Sequence, residues 1–399
     1  MQFSKRLEPL RSNVFADMDR AKAKALAAGQ DLIDLSLGSS DVPVANHIID
    51  RIRDSLDDTT THGYALFRNT KDFRDAAAHW YTQKYGVPVD PETEVLQLIG
   101  CQEGTGHLPL AILDPGDFAL LQDPGYPSHA GGVYIAGGQI YPMTMLAENG
   151  FLPKFEEIPQ AVLSQAKMMV LSYPHNPTTA IAPLSFFQEA VAFCQKNDLV
   201  LVHDFPYGDF VFPEGNAVNN DAIAPSILQA DPQKTVSIEF FTFSKSYNMG
   251  GFRIGFAVGN PQLILALRQV KAAIDFNQYR GILNGAIAAL TGPQELISYT
   301  VDTFRERRDV FVKALHDIGW DVPTPIATLY IWAKLPEPWS QDSIRFCAQL
   351  VQQTGVAVSP GVGFGKSGEG YVRFALVHPP EVLKVAVDRI AQFLQSHQP

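Results

Sequence analysis

Short, wholly apolar runs alternate with amphipathic stretches along most of this chain. Apolar positions recur at helical spacing over 14–28, where Asn13 is a possible cap and Gly29 a stop, and again over 45–56. Between them a short strand is predicted at 32–37, running into the turn chemistry of Gly38-Ser39-Ser40-Asp41-Val42-Pro43. Thr61 to Thr70 reads as an irregular loop before a helix that ends near Gly86. Buried-looking strands follow at 94–99, 118–121, 168–172, 199–202, 235–243 and 254–258, with helices at 105–112 and 184–196. Strands apolar on both faces, alternating with helices over about 90–260, predict an α/β sandwich with a mostly parallel sheet. After Asn260-Pro261 the pattern turns helical, at 262–274, 281–291 and 293–317. Strands at 327–333, 356–358 and 371–376 and helices at 342–353 and 380–395 then suggest a smaller α+β domain.

In open α/β sheets ligands bind beyond the C-terminal ends of the strands, and polar residues gather there. Lys245 stands between two hydroxyl residues in Phe243-Ser244-Lys245-Ser246-Tyr247, with Arg253 eight positions on. A strand-end lysine beside hydroxyls and a fixed cation suits a Schiff base with a phosphorylated aldehyde, the hydroxyls and the arginine holding the phosphate. The turn Gly100-Cys101-Gln102-Glu103-Gly104, ahead of a helix N-terminus, is a second phosphate cradle. Tyr126, between two prolines, can stack on a flat ring. Asn176 lies in an Asn-Pro turn, its amide pointing from a strand tip. Asp204 ends a fully apolar strand and needs a cationic partner, such as a protonated pyridine nitrogen, unless it caps or pairs structurally. Arg373 alternates with apolar neighbours and is either an exposed-face charge or a placed anion binder. Tyr64 is either functional or a packed loop aromatic. Gly361-Val362-Gly363-Phe364-Gly365-Lys366-Ser367 imitates a nucleotide loop, but Pro360 stands where a P-loop needs glycine, and no strand–loop–helix context surrounds it.

Composition narrows the class. The chain has 399 residues, enough for two domains with full cores, and a net charge of −11 that argues against nucleic-acid binding. Cys101, Cys194 and Cys347 are far apart, which suggests neither a disulfide framework nor a cysteine metal site. No stretch reaches the apolar length of a membrane span or a leader, so a cytoplasmic protein with no membrane partner is the default.

Taken together and in order, these segments resemble the class I/II aminotransferases, pyridoxal-phosphate enzymes of fold type I. The likeness covers essentially the whole chain. Phe240 to Met249 and Tyr330 to Pro338 are especially similar to the subgroup that holds alanine (glutamate–pyruvate) and LL-diaminopimelate aminotransferases. The resemblance implies an N-terminal segment, 1–45, joining the small domain, a large cofactor domain, 46–290, with an α/β/α build, and a small C-terminal domain, 291–399. It implies pyridoxal 5'-phosphate as cofactor and a small amino acid and 2-oxo acid as substrates. By the same resemblance Lys245 would bond the cofactor and shuttle the proton, and Asp204 would keep the pyridine nitrogen protonated. Asn176 and Tyr207 would bond the ring 3-oxygen, and Tyr126 would stack on the ring. Ser244, Arg253 and the backbone of Cys101-Gln102 would hold the phosphate. Tyr64 would reach the phosphate of a neighbouring subunit, implying a homodimer with shared sites. Arg373 would grip the substrate α-carboxylate with Asn176 and the backbone near Gly38.

The chain also departs from the family pattern. Cys101-Gln102-Glu103-Gly104 replaces the common Ser-Lys-Glu-Gly, and Asn176-Pro177-Thr178-Thr179 replaces Asn-Pro-Thr-Gly. Arg280 stands near a position where relatives carry a small hydroxyl residue. It reads either as the receiver of a distal substrate carboxylate or as a surface or interface ion pair. A carbon–sulfur lyase on the same fold is the alternative reaction. A cofactor-binding regulator is disfavoured, because the fold begins within the first few dozen residues.

Overall fold

A computed structural model describes residues 1, 3–10, 14–212 and 223–397. In chain order the strands are β1 (Ile33–Asp34), β2 (Val95–Leu98), β3 (Phe118–Asp123), β4 (Gln139–Thr144), β5 (Ala166–Leu171), β6 (Val200–Asp204), β7 (Ser237–Thr242), β8 (Gly255–Gly259), β9 (Tyr330–Lys334), β10 (Val356–Ala357), β11 (Ser359–Pro360) and β12 (Tyr371–Ala375). Seven of them form one sheet in the order β2-β8-β7-β6-β5-β3-β4. It is parallel except for β8, which runs against both β2 and β7. Strands β2, β5, β6 and β7 are mostly apolar and almost wholly buried, as strands covered on both faces of a sheet are.

The reversed strand positions the chemistry. The C-terminal ends of β2, β3, β5, β6 and β7 share one edge, and β8 begins at that edge. Gly100, Tyr126, Asn176, Tyr207 and Lys245 follow those ends, and Arg253 stands two positions before β8. The predicted α/β sheet is therefore present, with the polar strand ends on one side.

A second body is built on the antiparallel sheet β11-β12-β9. The N-terminal segment joins it, because β1 pairs in parallel with β10, and Met18, Ile33, Leu35 and Val42 share a core with Phe304, Phe311 and Phe374. Phe210 and Phe212, just past β6, lie in that core as well, and Val211 bridges to Ala327.

Several expectations are corrected. The strand predicted at 32–37 shrinks to β1, because Asp34 turns its carboxylate back onto the amide and hydroxyl of Ser36 and ends the extended run. The turn expected at 100–104 is already helical: the helix runs Cys101–Ile112, and the Glu103 side chain accepts from the Ile99 amide to hold its first turn. The helix Pro127–Ala136 and strand β4 were not predicted. That helix has apolar and small residues all round and little amphipathic signal, and β4 is a half-exposed edge strand. The proposed cap Asn13 lies outside the described residues. Asn260 does cap its helix, its side chain accepting from the Gln262 and Leu263 amides. The glycine-rich imitation folds as two 3-10 turns between β11 and β12, and the Ser367 amide donates to Asp123.

Candidate active site

The strand ends surround a cavity of about 340 Å3 that draws on both bodies. Lys245 enters it from the turn after β7. That turn is fixed by the Ser244 amide donating to Thr242 Oγ1 (3.1 Å) and by Ser246 donating to Asp209. Lys245 Nζ donates to the carbonyl of Gly38 and lies 5.6 Å from the centre of the Tyr207 ring. Gly38 has no room for a side chain, because a Cβ would run into the Tyr330 hydroxyl.

On the floor, Asp204 is 3% exposed, and its Oδ2 bonds His129 Nε2 at 2.9 Å. Its Oδ1 is buried and has no hydrogen-bond partner among the described residues. A buried carboxylate oxygen left this way costs about 1–3 kcal/mol, so the site suits a ligand that brings a donor or a positive nitrogen. Tyr126 walls the same region, its ring edge-on to His129 with centroids 5.6 Å apart. Cys101 also lines it, and burial followed by the Asp204 charge pushes the thiol pKa well up.

The opposite end suits an anion. The Arg253 guanidinium lies across Gly100, where a Cβ would meet Nη2 at 2.6 Å. Gly100 has φ +75, which favours glycine there a second time. Arg253 Nη1 also donates to the Gly250 carbonyl at 2.9 Å. Beside it Ser244 Oγ accepts from Thr242 Oγ1 at 2.9 Å, which leaves its own proton to give. Cys101 and Gln102 open the adjacent helix, so its first amides complete the cradle.

Arg373 sits across the cavity on β12 and is 6% exposed, which excludes the exposed-face reading. Its Nη1 donates to Asn176 Oδ1 (2.8 Å) and its Nη2 to the Ser36 carbonyl (2.6 Å). The guanidinium lies over Tyr330 and Phe364, 4.2 and 4.7 Å from their ring centres. Its Nε has no partner among the described residues. A buried guanidinium with no carboxylate in its hydrogen bonds is an anion site in waiting.

Thus Lys245, Asp204, Tyr207, Cys101, Gln102, Tyr126, Asn176, Ser244, Arg253, Gly38 and Arg373 all line one cavity. Tyr64 and Arg280 do not. Tyr64 is 88% exposed and stands edge-on to Phe276, and Arg280 Nη1 donates to the Thr60 carbonyl. Sequence reasoning missed His129 and Tyr330. His129 stands three positions after Tyr126 in the unpredicted helix, and Tyr330 stands in the apolar run Leu329 to Ala333, which does not single it out.

The sequence pattern of the family described as aminotransferase class I and II matches residues 30–390. An LL-diaminopimelate aminotransferase of Dehalococcoides mccartyi is 43% identical over 394 residues, covering 98% of this chain and 99% of its own. Among solved structures, a probable N-succinyldiaminopimelate aminotransferase from Thermus thermophilus superposes with a TM-score of 0.88 at 40% identity, covering 95% of this chain and 99% of its own. Substrate-bound BacF from Bacillus subtilis superposes with a TM-score of 0.92 at 35% identity, covering 98% of each chain.

Proposed function

This chain belongs to the class I and II aminotransferases and is a pyridoxal-phosphate-dependent transaminase, and from that premise we propose how its residues divide the work and which amino acid they receive. The cofactor, when bound, supplies an aldehyde that joins amines and a ring that withdraws electrons from the substrate α-carbon. The residues present fit it: a partnerless buried carboxylate oxygen for a pyridine nitrogen, and an arginine, a hydroxyl and a helix N-terminus for a phosphate.

Asp204, steadied by His129, would hold a proton on the ring nitrogen. Tyr207 and Asn176 would hydrogen-bond the ring oxygen, Tyr126 would pack against the ring, and Ser244, Arg253 and the Cys101-Gln102 backbone would hold the phosphate. Arg373 would fix the substrate α-carboxylate and so set which α-carbon bond faces Lys245. The Lys245 amine, when free, would be the base for the substrate α-proton. The opposition of Arg373 and Asn176 to Lys245 across one cavity carries this reading.

The substrates are an L-amino acid (alanine, aspartate or LL-diaminopimelate) and a 2-oxo acid such as 2-oxoglutarate. LL-diaminopimelate is the first to try, given what the relatives are named for. The division at 45/46 and 290/291 is supported by the separate core that gathers residues 18–42 with 304–393. A homodimer with shared sites is supported by the exposed Tyr64, and the cytoplasm is its proposed compartment; no helix among the described residues is long and apolar enough to cross a membrane.

The test is the visible absorbance of the purified protein, followed as L-amino acids are added singly. Conversion to the pyridoxamine form with glutamate and one further amino acid is expected and names the donor. Consumption of amino acid with ammonia release and no pyridoxamine would replace transfer by elimination.

A further inference from the structure

Tyr330 opens β9 and touches several of the functional groups at once. Its hydroxyl is 2.8 Å from that of Tyr207, its ring lies 4.2 Å beneath the Arg373 guanidinium, and it fills the space over Gly38, whose carbonyl receives Lys245. Tyr330 and Tyr207 are 3% and 2% exposed. The Tyr207 hydroxyl makes no other hydrogen bond among the described residues, and both residues line the cavity.

We propose that Tyr330 is a positioning residue whose hydroxyl donates to Tyr207 and thereby turns the single Tyr207 proton into the cavity, toward the cofactor's ring oxygen. This rests on the role given to Tyr207 above. Two phenols in contact share one proton in the bond between them, so the direction of that bond decides where the other proton points. The contact sets the direction. Neither hydroxyl has another hydrogen-bond partner among the described residues, so once Tyr207 gives its proton to the ring oxygen, the bond between the two phenols must carry the proton of Tyr330. The Arg373 guanidinium, 4.2 Å from the Tyr330 ring, favours that phenol as the donor. Gly38 belongs to the same arrangement, because any side chain there would displace the Tyr330 hydroxyl.

The experiment is a pH titration of the visible band of the lysine-bound cofactor in holoenzyme carrying Tyr330→Phe, Tyr207→Phe, or both. A donor on the ring oxygen favours the deprotonated form of the lysine linkage, in which that oxygen has lost its internal proton partner. Tyr207→Phe therefore raises the titration midpoint. Tyr330→Phe, which keeps the ring under Arg373, raises it by about 0.5 to 1 pH unit, as expected for a weakened neutral hydrogen bond. The double variant goes no higher than Tyr207→Phe alone, because Tyr330 acts only through Tyr207. A shift with Tyr207→Phe but none with Tyr330→Phe overturns the relay and leaves the role of Tyr207 standing. Fully additive shifts overturn it as well. No shift with either variant overturns the role of Tyr207 and the relay together. Should Tyr330→Phe not fold, Gly38→Ala, which pushes the hydroxyl aside, is expected to raise the midpoint in the same direction, and an unmoved midpoint there also counts against the relay.

Discussion

At the scale of single residues, the site depends on groups that are buried and still unsatisfied. Arg373 is the clearest, with two donors held by Asn176 and Ser36 and a third without a partner among the described residues. A lysine there keeps the charge but loses the planar fork. Arg373→Lys is expected to raise KM for the amino acid about 10- to 100-fold with a smaller change in kcat. The absorbance of the resting holoenzyme should stay as it was, since Arg373 faces substrate and not cofactor. Steady-state kinetics beside a spectrum checks both halves. Lys245, Arg253 and Asp204 were legible in the sequence because charge at the end of an apolar strand is costly and so carries information. Tyr330 was not, because an aromatic in an unbroken apolar run looks the same whether it packs a core or faces a cavity.

At the scale of elements, the helix Cys101–Ile112 is pinned at its start by one carboxylate. Glu103 accepts from the Ile99 amide and pairs with Lys271 at 2.7 Å, and both side chains are nearly inaccessible. Burial alone would raise the Glu103 pKa. The neighbouring His107, 3.7 Å away, the Lys271 charge and the Ile99 amide outweigh it and bring the carboxyl below its usual value. Glu103→Gln leaves Lys271 with only the more exposed Asp275, 3.4 Å away, and is expected to cost about 3 kcal/mol of stability. A depressed carboxyl stabilises the fold above its unfolded pKa and loses that contribution as pH falls through its folded one. The gap between wild type and Glu103→Gln in denaturant midpoint should therefore close below about pH 4. Elements with strong periodicity or an apolar run were readable, including the helix that follows Asn260-Pro261. The helix Pro127–Ala136 was not, since glycines and small apolar residues all round it leave no polar face to read. His129 was lost with it.

At the scale of the molecule, one chain supplies a cavity, and Tyr64 stands outside it almost fully exposed. The chain is expected to sediment as a dimer. Mixed dimers of Tyr64→Ala and Lys245→Ala subunits are expected to recover cofactor affinity and activity at one of their two sites, since that site draws an intact residue from each subunit. Failure of the mixture to exceed its parents, with exchange of subunits verified, would assign Tyr64 to its own chain's surface. The change of pattern after Asn260 was legible but does not mark a change of body, since Leu267 and Leu283 beyond it still pack in the cores of the large sheet. The crossing of Phe210 and Phe212 into the far core was not legible, because local alternation does not say which core an apolar residue joins. The reach of Arg373 to Ser36 spans 337 positions. The residues proposed to hold the cofactor all lie at or before Arg253, so they leave the ribosome well before β12 does. On that division of roles, a growing chain carries every cofactor-holding group while it still lacks the means to hold an amino acid by its carboxylate. The last strand to be synthesised would then convert a vitamin-binding surface into an enzyme.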